Sequence, residues 1–186
     1  IIEYLENGGK AMIFSDYTGE DMPNFDAVLE NYGINRVDGL VFEGDSQHYA
    51  MQMPYYLLPT VNSTDITSDV ASSGYYILMP YAQGIQKSED VRDTVNIKSL
   101  LTTSDSAYSK TDVSSGTLEK EDGDVDGPFD LGVSITESVG DGEETHIIYY
   151  STSNLLQSQV NQMVSGGNEK LVMASLSALV NTEETT

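Results

Sequence analysis

Short apolar runs alternate with amphipathic stretches along most of the chain, and this pattern predicts alternating strands and helices. Residues 11–15 (AMIFS) form an apolar run without a two-residue period, which is typical of a strand covered on both faces. The following helix is predicted to begin at Pro23, a residue suited to a first helical turn, and to end at Gly33. Its apolar stripe consists of Phe25, Val28, Leu29 and Tyr32.

Further apolar runs indicate the remaining strands. They cover residues 40–42, 56–61, 76–79, 95–103, 129–136 and 145–150. The turn at residues 140–142 (GDG) joins the last two runs as an antiparallel hairpin or a neighbouring pair.

Both ends of the chain carry helix signals. An opening helix is predicted to end at the glycine pair Gly8 and Gly9, and a final helix to begin after residues 166–168 (GGN). Residues 182–186 are expected to fray. Because the chain opens within a helix and without methionine, we interpret residues 1–186 as a single domain excised from a longer protein.

Strands that alternate with helices predict an α/β fold, a three-layer α/β/α domain around a mostly parallel open sheet. Residues 104–126 are rich in Ser, Asp, Gly and Glu and poor in large aliphatic side chains. This composition predicts a long acidic loop. In open sheets of this kind, ligands bind at the carboxyl ends of the strands.

Polar residues follow three of the predicted strands, and a parallel sheet would bring them to one edge. They are Asp16, Tyr17 and Thr18, then Thr103, Ser104 and Asp105, and finally Ser151, Thr152 and Asn154. Hydroxyls, carboxylates and an aromatic ring at that edge suit a sugar or peptide ligand. The same residue types also cap helices and close turns, so a structural role is the alternative.

The charge balance excludes some partners. Thirty acidic and eight basic residues give a net charge of −22, while 39% hydrophobic residues suffice for a core. A surface this negative repels phosphate backbones and anionic headgroups, so neither nucleic acid nor a membrane surface is an expected partner. No cysteine is present, and no phosphate-binding loop, dinucleotide fingerprint or nucleophile elbow occurs. We therefore predict no cofactor.

One motif has partial calcium-loop character. Residues 122–127 (DGDVDG) match the first half of such a loop, where alternate aspartates supply hard oxygens. However, Val133 occupies the position of the bidentate glutamate, and Pro128 follows the glycine. A plain acidic loop entering a strand is the better interpretation, and no metal site is predicted.

A tyrosine-rich and methionine-rich stretch stands out among the loops. It contains Tyr49, Tyr55 and Tyr56 together with Met51 and Met53. Such a segment is either an exposed contact surface for a partner protein or a half-buried loop packed on the sheet edge, and the second interpretation is favoured.

Five short motifs, in order, resemble those of the GldG-like family of ABC transporter auxiliary components. They are residues 4–10 (YLENGGK), 29–34 (LENYGI), 101–104 (LTTS), 126–133 (DGPFDLGV) and 167–168 (GN). The resemblance spans nearly the whole chain. Its motif positions include backbone-determining residues to which we assign structural roles: Gly8, Gly9, Gly33, Asp126, Gly127 and Pro128.

The resemblance implies a location and partners. The family is extracytoplasmic, on the bacterial cell membrane, and works beside an ABC permease and ATPase in gliding motility and export. Any membrane helices would then lie outside this segment. The resemblance also implies a Rossmann-like or flavodoxin-like sheet related to the glutamine-amidotransferase-like superfamily. The catalytic cysteine of that superfamily cannot be carried over, because this chain has none.

The expected function is therefore that of a non-catalytic, extracytoplasmic auxiliary or ligand-binding domain of an ABC transport system. One alternative is a surface glycan hydrolase or transferase with paired carboxylates, which a deep pocket holding two facing acids would favour. Another is a structural spacer or protein-docking domain, and a spacer would need no pocket.

Overall fold

The computed structural model describes residues 1–180, so the predicted fraying of residues 182–186 lies outside the described part. The helices are α1 (Ile2–Glu6), α2 (Pro23–Asn31), α3 (Ser68–Ser72), α4 (Ser158–Met163) and α5 (Gly167–Val180). The strands are β1 (Lys10–Phe14), β2 (Ile34–Arg36), β3 (Leu40–Phe42), β4 (Tyr56–Leu57), β5 (Thr60–Val61), β6 (Met79–Pro80), β7 (Ile85–Lys87), β8 (Val95–Thr102), β9 (Tyr108–Lys110), β10 (Val125–Asp126), β11 (Asp130–Gly140) and β12 (Glu143–Tyr150). No helix within these residues is long and apolar enough to cross a bilayer.

The main sheet has seven strands and is largely antiparallel. Strand β12 pairs in parallel with β1 and antiparallel with β11, which in turn pairs with β8 and, through Asp130, with β7. Strand β2 extends the sheet from β7, and β5 extends it from β8. Because β1, β12 and β8 run in the same direction, their carboxyl ends lie at one edge.

The predicted mostly parallel, Rossmann-like or flavodoxin-like three-layer sheet is therefore wrong, and so is the expected relation to the glutamine-amidotransferase-like fold. In the described chain only β1 and β12 form a parallel ladder, and hairpins and irregular segments replace most crossover helices. The error has a physical cause. Strand β12 is buried on both faces, with Ile147 and Tyr149 in one core and Ile148 and Tyr150 in the other. Burial on both faces gives a continuous apolar run whatever the direction of the neighbouring strands.

The predicted acidic loop at residues 104–126 is also only partly correct. Strands β9 and β10 lie inside it and form a small antiparallel sheet with β3. The buried ammonium of Lys110 donates to the carboxylate of Glu121 at 2.7 Å and to the carbonyl oxygen of Glu119 at 2.9 Å. Asp124 lies 3.7 Å away. The acidic segment thus folds around one buried cation.

Two glycines of the resemblance motifs have clear backbone roles. Gly33 has φ +79° at the end of α2, and a Cβ there would lie 2.4 Å from a methyl carbon of Val91. A Cβ on Gly127 would lie 2.8 Å from the carbonyl oxygen of Ala107. A larger residue at either position would force its neighbours apart.

Candidate functional site

A cleft of about 240 Å³ opens where the chain leaves β1. The segment after β1 contributes Tyr17 and Thr18, so two of the predicted ligand residues line this cleft. Helix α2 forms a second wall with Asp26 and Glu30, and Arg36 on β2 contributes to a third.

Arg36 joins two of these walls, α2 and β2. Its Nε and Nη2 donate to the two carboxylate oxygens of Asp26 at 2.7 and 3.1 Å, and its Nη1 donates to Oε1 of Gln83 at 3.0 Å. The ring of Phe25 lies 5.3 Å from the guanidinium carbon. Gln83 is itself fixed by donating to the carbonyl oxygen of Val37 at 3.2 Å. Such a bidentate pair has a defined geometry as well as a charge.

The cleft is strongly negative. Five carboxylates face the single guanidinium of Arg36, which leaves a formal charge of −4; they belong to Glu20, Asp21, Asp26, Glu30 and Asp38. Arg36 is paired with Asp26, and the cleft lining contains no other cationic residue to pair with the remaining four carboxylates. All four of these residues are exposed to solvent.

A separate group of predicted residues forms internal hydrogen bonds beside the end of β1. The carboxylate of Asp16 accepts from the backbone N–H and the hydroxyl of Ser153 at 2.8 and 2.6 Å. Thr152 and Asn154 both donate to the carbonyl oxygen of Pro80, and Ser151 donates to that of Leu131. Asp16 thus joins the segments that follow β1 and β12, as expected of neighbouring strand ends.

The third predicted group lies elsewhere on the sheet. Thr103 accepts from the backbone N–H of Phe129 at 2.9 Å. Ser104 donates its backbone N–H and its hydroxyl to the buried carboxylate of Glu43 at 3.0 and 2.7 Å. Burial raises the pKa of Glu43, against the opposing effect of these hydrogen bonds. None of the three residues of this group lines the acidic cleft.

Asp105 lines a second, open cleft of about 510 Å³ together with Thr103, Lys87 and Asp130. Burial raises the pKa of Asp130, although a hydrogen bond with Ser99 and the charge of Lys87 act in the opposite direction. Two carboxylates therefore share this cleft, and the environment of one of them favours its protonated form.

The aspartate oxygens of the partial calcium motif do not converge on one point. Asp124 accepts from the backbone N–H groups of Thr111 and Glu121 at 3.1 and 2.8 Å, and Asp126 pairs with Lys120. Within residues 1–180, no cluster of three or more acidic or imidazole side chains could hold a metal ion. Asp124 instead organises the turn before β10.

Sequence reasoning missed the residues that give the cleft its charge. Asp26 and Glu30 are four residues apart on α2, so they share a helical face away from the apolar stripe, and this spacing was the available signal. No comparable sequence signal pointed to Arg36 and Gln83. They meet only because β2 pairs with β7, a long-range contact between short strands.

Comparisons with known proteins show a fold relationship. No protein-family model matches the chain, and no curated protein matches it. Among solved structures, the chain is similar to the "mmIFT52 N-terminal domain", with 15% identity and a TM-score of 0.62. The match covers 95% of this chain and 67% of that chain. At this identity the likeness shows the fold alone. None of these comparisons supports an ABC-transporter role, and the GldG-like resemblance stays a prediction.

Proposed function

We propose that the domain is a non-enzymatic binding module whose acidic cleft holds a positively charged peptide segment. The observation that carries this proposal is the excess of carboxylates around a single, already paired guanidinium. A ligand with ammonium or guanidinium groups would supply the missing positive charge through charge-assisted hydrogen bonds. The ring of Tyr17 adds a surface on which such a cation can lie.

An extended ligand suits the cleft better than a single ion. Its carboxylates project from the segment after β1, from α2 and from the segment after β2, and within the described residues they form no metal-binding cluster. Separated anionic groups match separated cations along a peptide. The amides of Asn35 and Gln83 also line the cleft, and amides pair readily with peptide backbone groups.

The charge of the whole chain supports the same ligand class. A net charge of −22 attracts cations over long distances and concentrates them near the surface. This attraction is screened beyond about 10 Å at 0.1 M salt, so the proposed binding depends on ionic strength.

The biological setting remains a prediction from the GldG-like resemblance. In that setting, the domain lies on the extracytoplasmic face of a bacterial cell membrane beside an ABC permease and ATPase. A cationic segment of an exported protein or of a transporter subunit would be the ligand.

Charge-neutralising variants test the proposal. We expect a lysine-containing decapeptide to bind the chain, and the double variant Asp21→Asn with Glu30→Gln to weaken that binding about tenfold or more. The control removes two charges at the opposite edge of the sheet, through Glu143→Gln and Glu144→Gln at the start of β12. If both double variants weakened binding equally, the effect would come from net charge alone, and specific binding in the cleft would be contradicted.

A second candidate function is hydrolysis of a surface glycan in the open cleft that contains Asp105 and Asp130. Two carboxylates that line one cleft favour it, together with the burial that raises the pKa of Asp130, because a raised pKa is what a general acid requires. Release of reducing sugar that disappears in Asp130→Asn would support this activity. Absence of turnover on neutral glycans would oppose it.

A further inference from the structure

Three tyrosine rings form a compact cluster at the surface, which we call the tyrosine platform: Tyr55, Tyr56 and Tyr81. The rings of Tyr55 and Tyr81 are stacked, with centroids 5.2 Å apart and an interplanar angle of 23°. Tyr56 meets Tyr81 edge-on at 5.7 Å and lies at the same distance from Tyr55.

The platform is anchored in the protein and open to solvent at its outer end. Tyr55 contacts Phe42 at 5.5 Å, and Phe42 contacts Tyr108 at 6.0 Å. Phe42 and Tyr108 are buried, whereas Tyr81 is 43% exposed. Burial raises the pKa of Tyr81, and so does its hydrogen bond with Tyr56, so the phenol stays neutral at physiological pH.

Tyr81 is held in a backbone conformation that bulky residues avoid. Its φ is +57°, in the left-handed region. The surrounding backbone enforces it, since Tyr81 donates its N–H to the carbonyl oxygen of Tyr55 at 3.0 Å, and Thr152 and Asn154 both bond the carbonyl oxygen of Pro80. Strain of this kind persists where structure over-determines it, and it is concentrated at binding sites.

The rings of the platform come from uncharged segments of a strongly acidic chain. Residues 49–64 and 70–86, which supply its rings, contain no Asp, Glu, Lys or Arg. These segments therefore offer a ligand no ion pair of their own, and an anionic ligand would be repelled by the rest of the surface.

We propose that the tyrosine platform is a subsite for a neutral oligosaccharide. The C–H face of a pyranose ring stacks on a preformed aromatic face, and tyrosine hydroxyls hydrogen-bond sugar hydroxyls. A rigid platform loses little conformational entropy on binding. The platform shares no residue with the lining of the acidic cleft, so sugar binding here does not depend on peptide binding there.

Replacement of Tyr81 by glycine tests the subsite without forcing the backbone, since glycine adopts positive φ freely. Calorimetric titration of the chain with cellohexaose, maltohexaose and chitohexaose is the measurement. We expect at least one of these sugars to bind, and Tyr81→Gly to weaken that binding by about tenfold or more. Tyr81→Phe should retain most of it, because the stacking face remains.

The matched control is Tyr76→Ala, which removes a tyrosine that is 65% exposed and lies in a neighbouring apolar groove outside the platform. This variant should bind the sugar like the unaltered chain. Three results would overturn the proposal: no binding of any of the three sugars, binding that survives Tyr81→Gly, or equal weakening by Tyr76→Ala. Self-association of the chain that is abolished by Tyr81→Gly, without sugar binding, would assign the platform to a protein contact instead.

Discussion

The guanidinium of Arg36 and the carboxylate of Asp26 form a two-point ion pair across the acidic cleft, with N–O distances of 2.7 and 3.1 Å. The pair joins strand β2 to helix α2. The Arg36 side chain is only 9% exposed, against 32% for Asp26, so water screens the pair only in part. The geometry of the cleft wall therefore depends on this contact.

Removing the guanidinium should destabilise the domain. We expect Arg36→Met to lower the free energy of unfolding by about 1–2 kcal/mol, because Asp26 keeps its charge and loses two hydrogen bonds. Urea unfolding followed by circular dichroism measures this change. The double variant with Asp26→Asn should recover part of the loss, and equal stability of Arg36→Met and the unaltered chain would show that the pair contributes nothing.

The buried ammonium of Lys110 should control the order of the acidic segment. Burial alone would lower the pKa of Lys110, but the hydrogen bond to Glu121 and the charge of Asp124 outweigh it, and the pKa is raised. Lys110→Met removes the cation around which residues 111–126 fold. We expect faster proteolytic cleavage within that segment, detected by mass spectrometry of the fragments.

Lys120→Met provides the control for the lysine prediction. Lys120 is 44% exposed and pairs with Asp126, so its loss should change the cleavage rate little. If Lys110→Met were cleaved no faster than Lys120→Met, the buried cation would not organise the segment.

Stability should fall in mild acid because of His146. Burial lowers its pKa below the ordinary 6.5; the charge of Asp65 opposes this shift, and Lys10 and Lys98 add to it. The unfolded chain therefore takes up a proton first as the pH drops, so this contribution to stability is complete above about pH 6.5 and decreases below it.

Measurement of stability as a function of pH, with and without the histidine, isolates its contribution. Urea midpoints measured from neutral pH down to about 5.5 should decrease for the unaltered chain and decrease less for His146→Gln. Glutamine retains a polar group near the hydroxyl of Ser134, which lies 2.8 Å from Nε2 of His146. Parallel pH profiles for the two proteins would remove His146 as the cause.

Local features of the fold follow from the sequence, but strand direction does not. The strand after Gly9, the helix that begins at Pro23, and the final helix were predicted from apolar spacing and turn residues, and the structure confirms them. The turn at residues 140–142 correctly joined two antiparallel strands. The parallel sheet was wrong because it required a helix between successive strands, whereas irregular chain joins β7 to β8 and a tight turn joins β11 to β12.

Only part of the candidate site could be predicted from the sequence, for a related reason. Tyr17 and Thr18 line the acidic cleft because they follow β1 directly, which is local information. Arg36 and Gln83 meet through strand pairing far apart in sequence, and the platform depends on the conformation of Tyr81, which no pattern of residue types encodes. Buried Lys110 was missed because a lysine in an acidic stretch is typical of a solvated loop.

The proposed function of the cleft is to bind a positively charged peptide through its unpaired carboxylates. Its most direct test is the Kd of a peptide series in which lysines replace glycines one at a time, measured at low and at high salt. We expect affinity to rise with each lysine, salt to weaken it, and Asp21→Asn with Glu30→Gln to flatten the dependence on lysine number. Equal affinity for the uncharged and the lysine-rich peptides would contradict it.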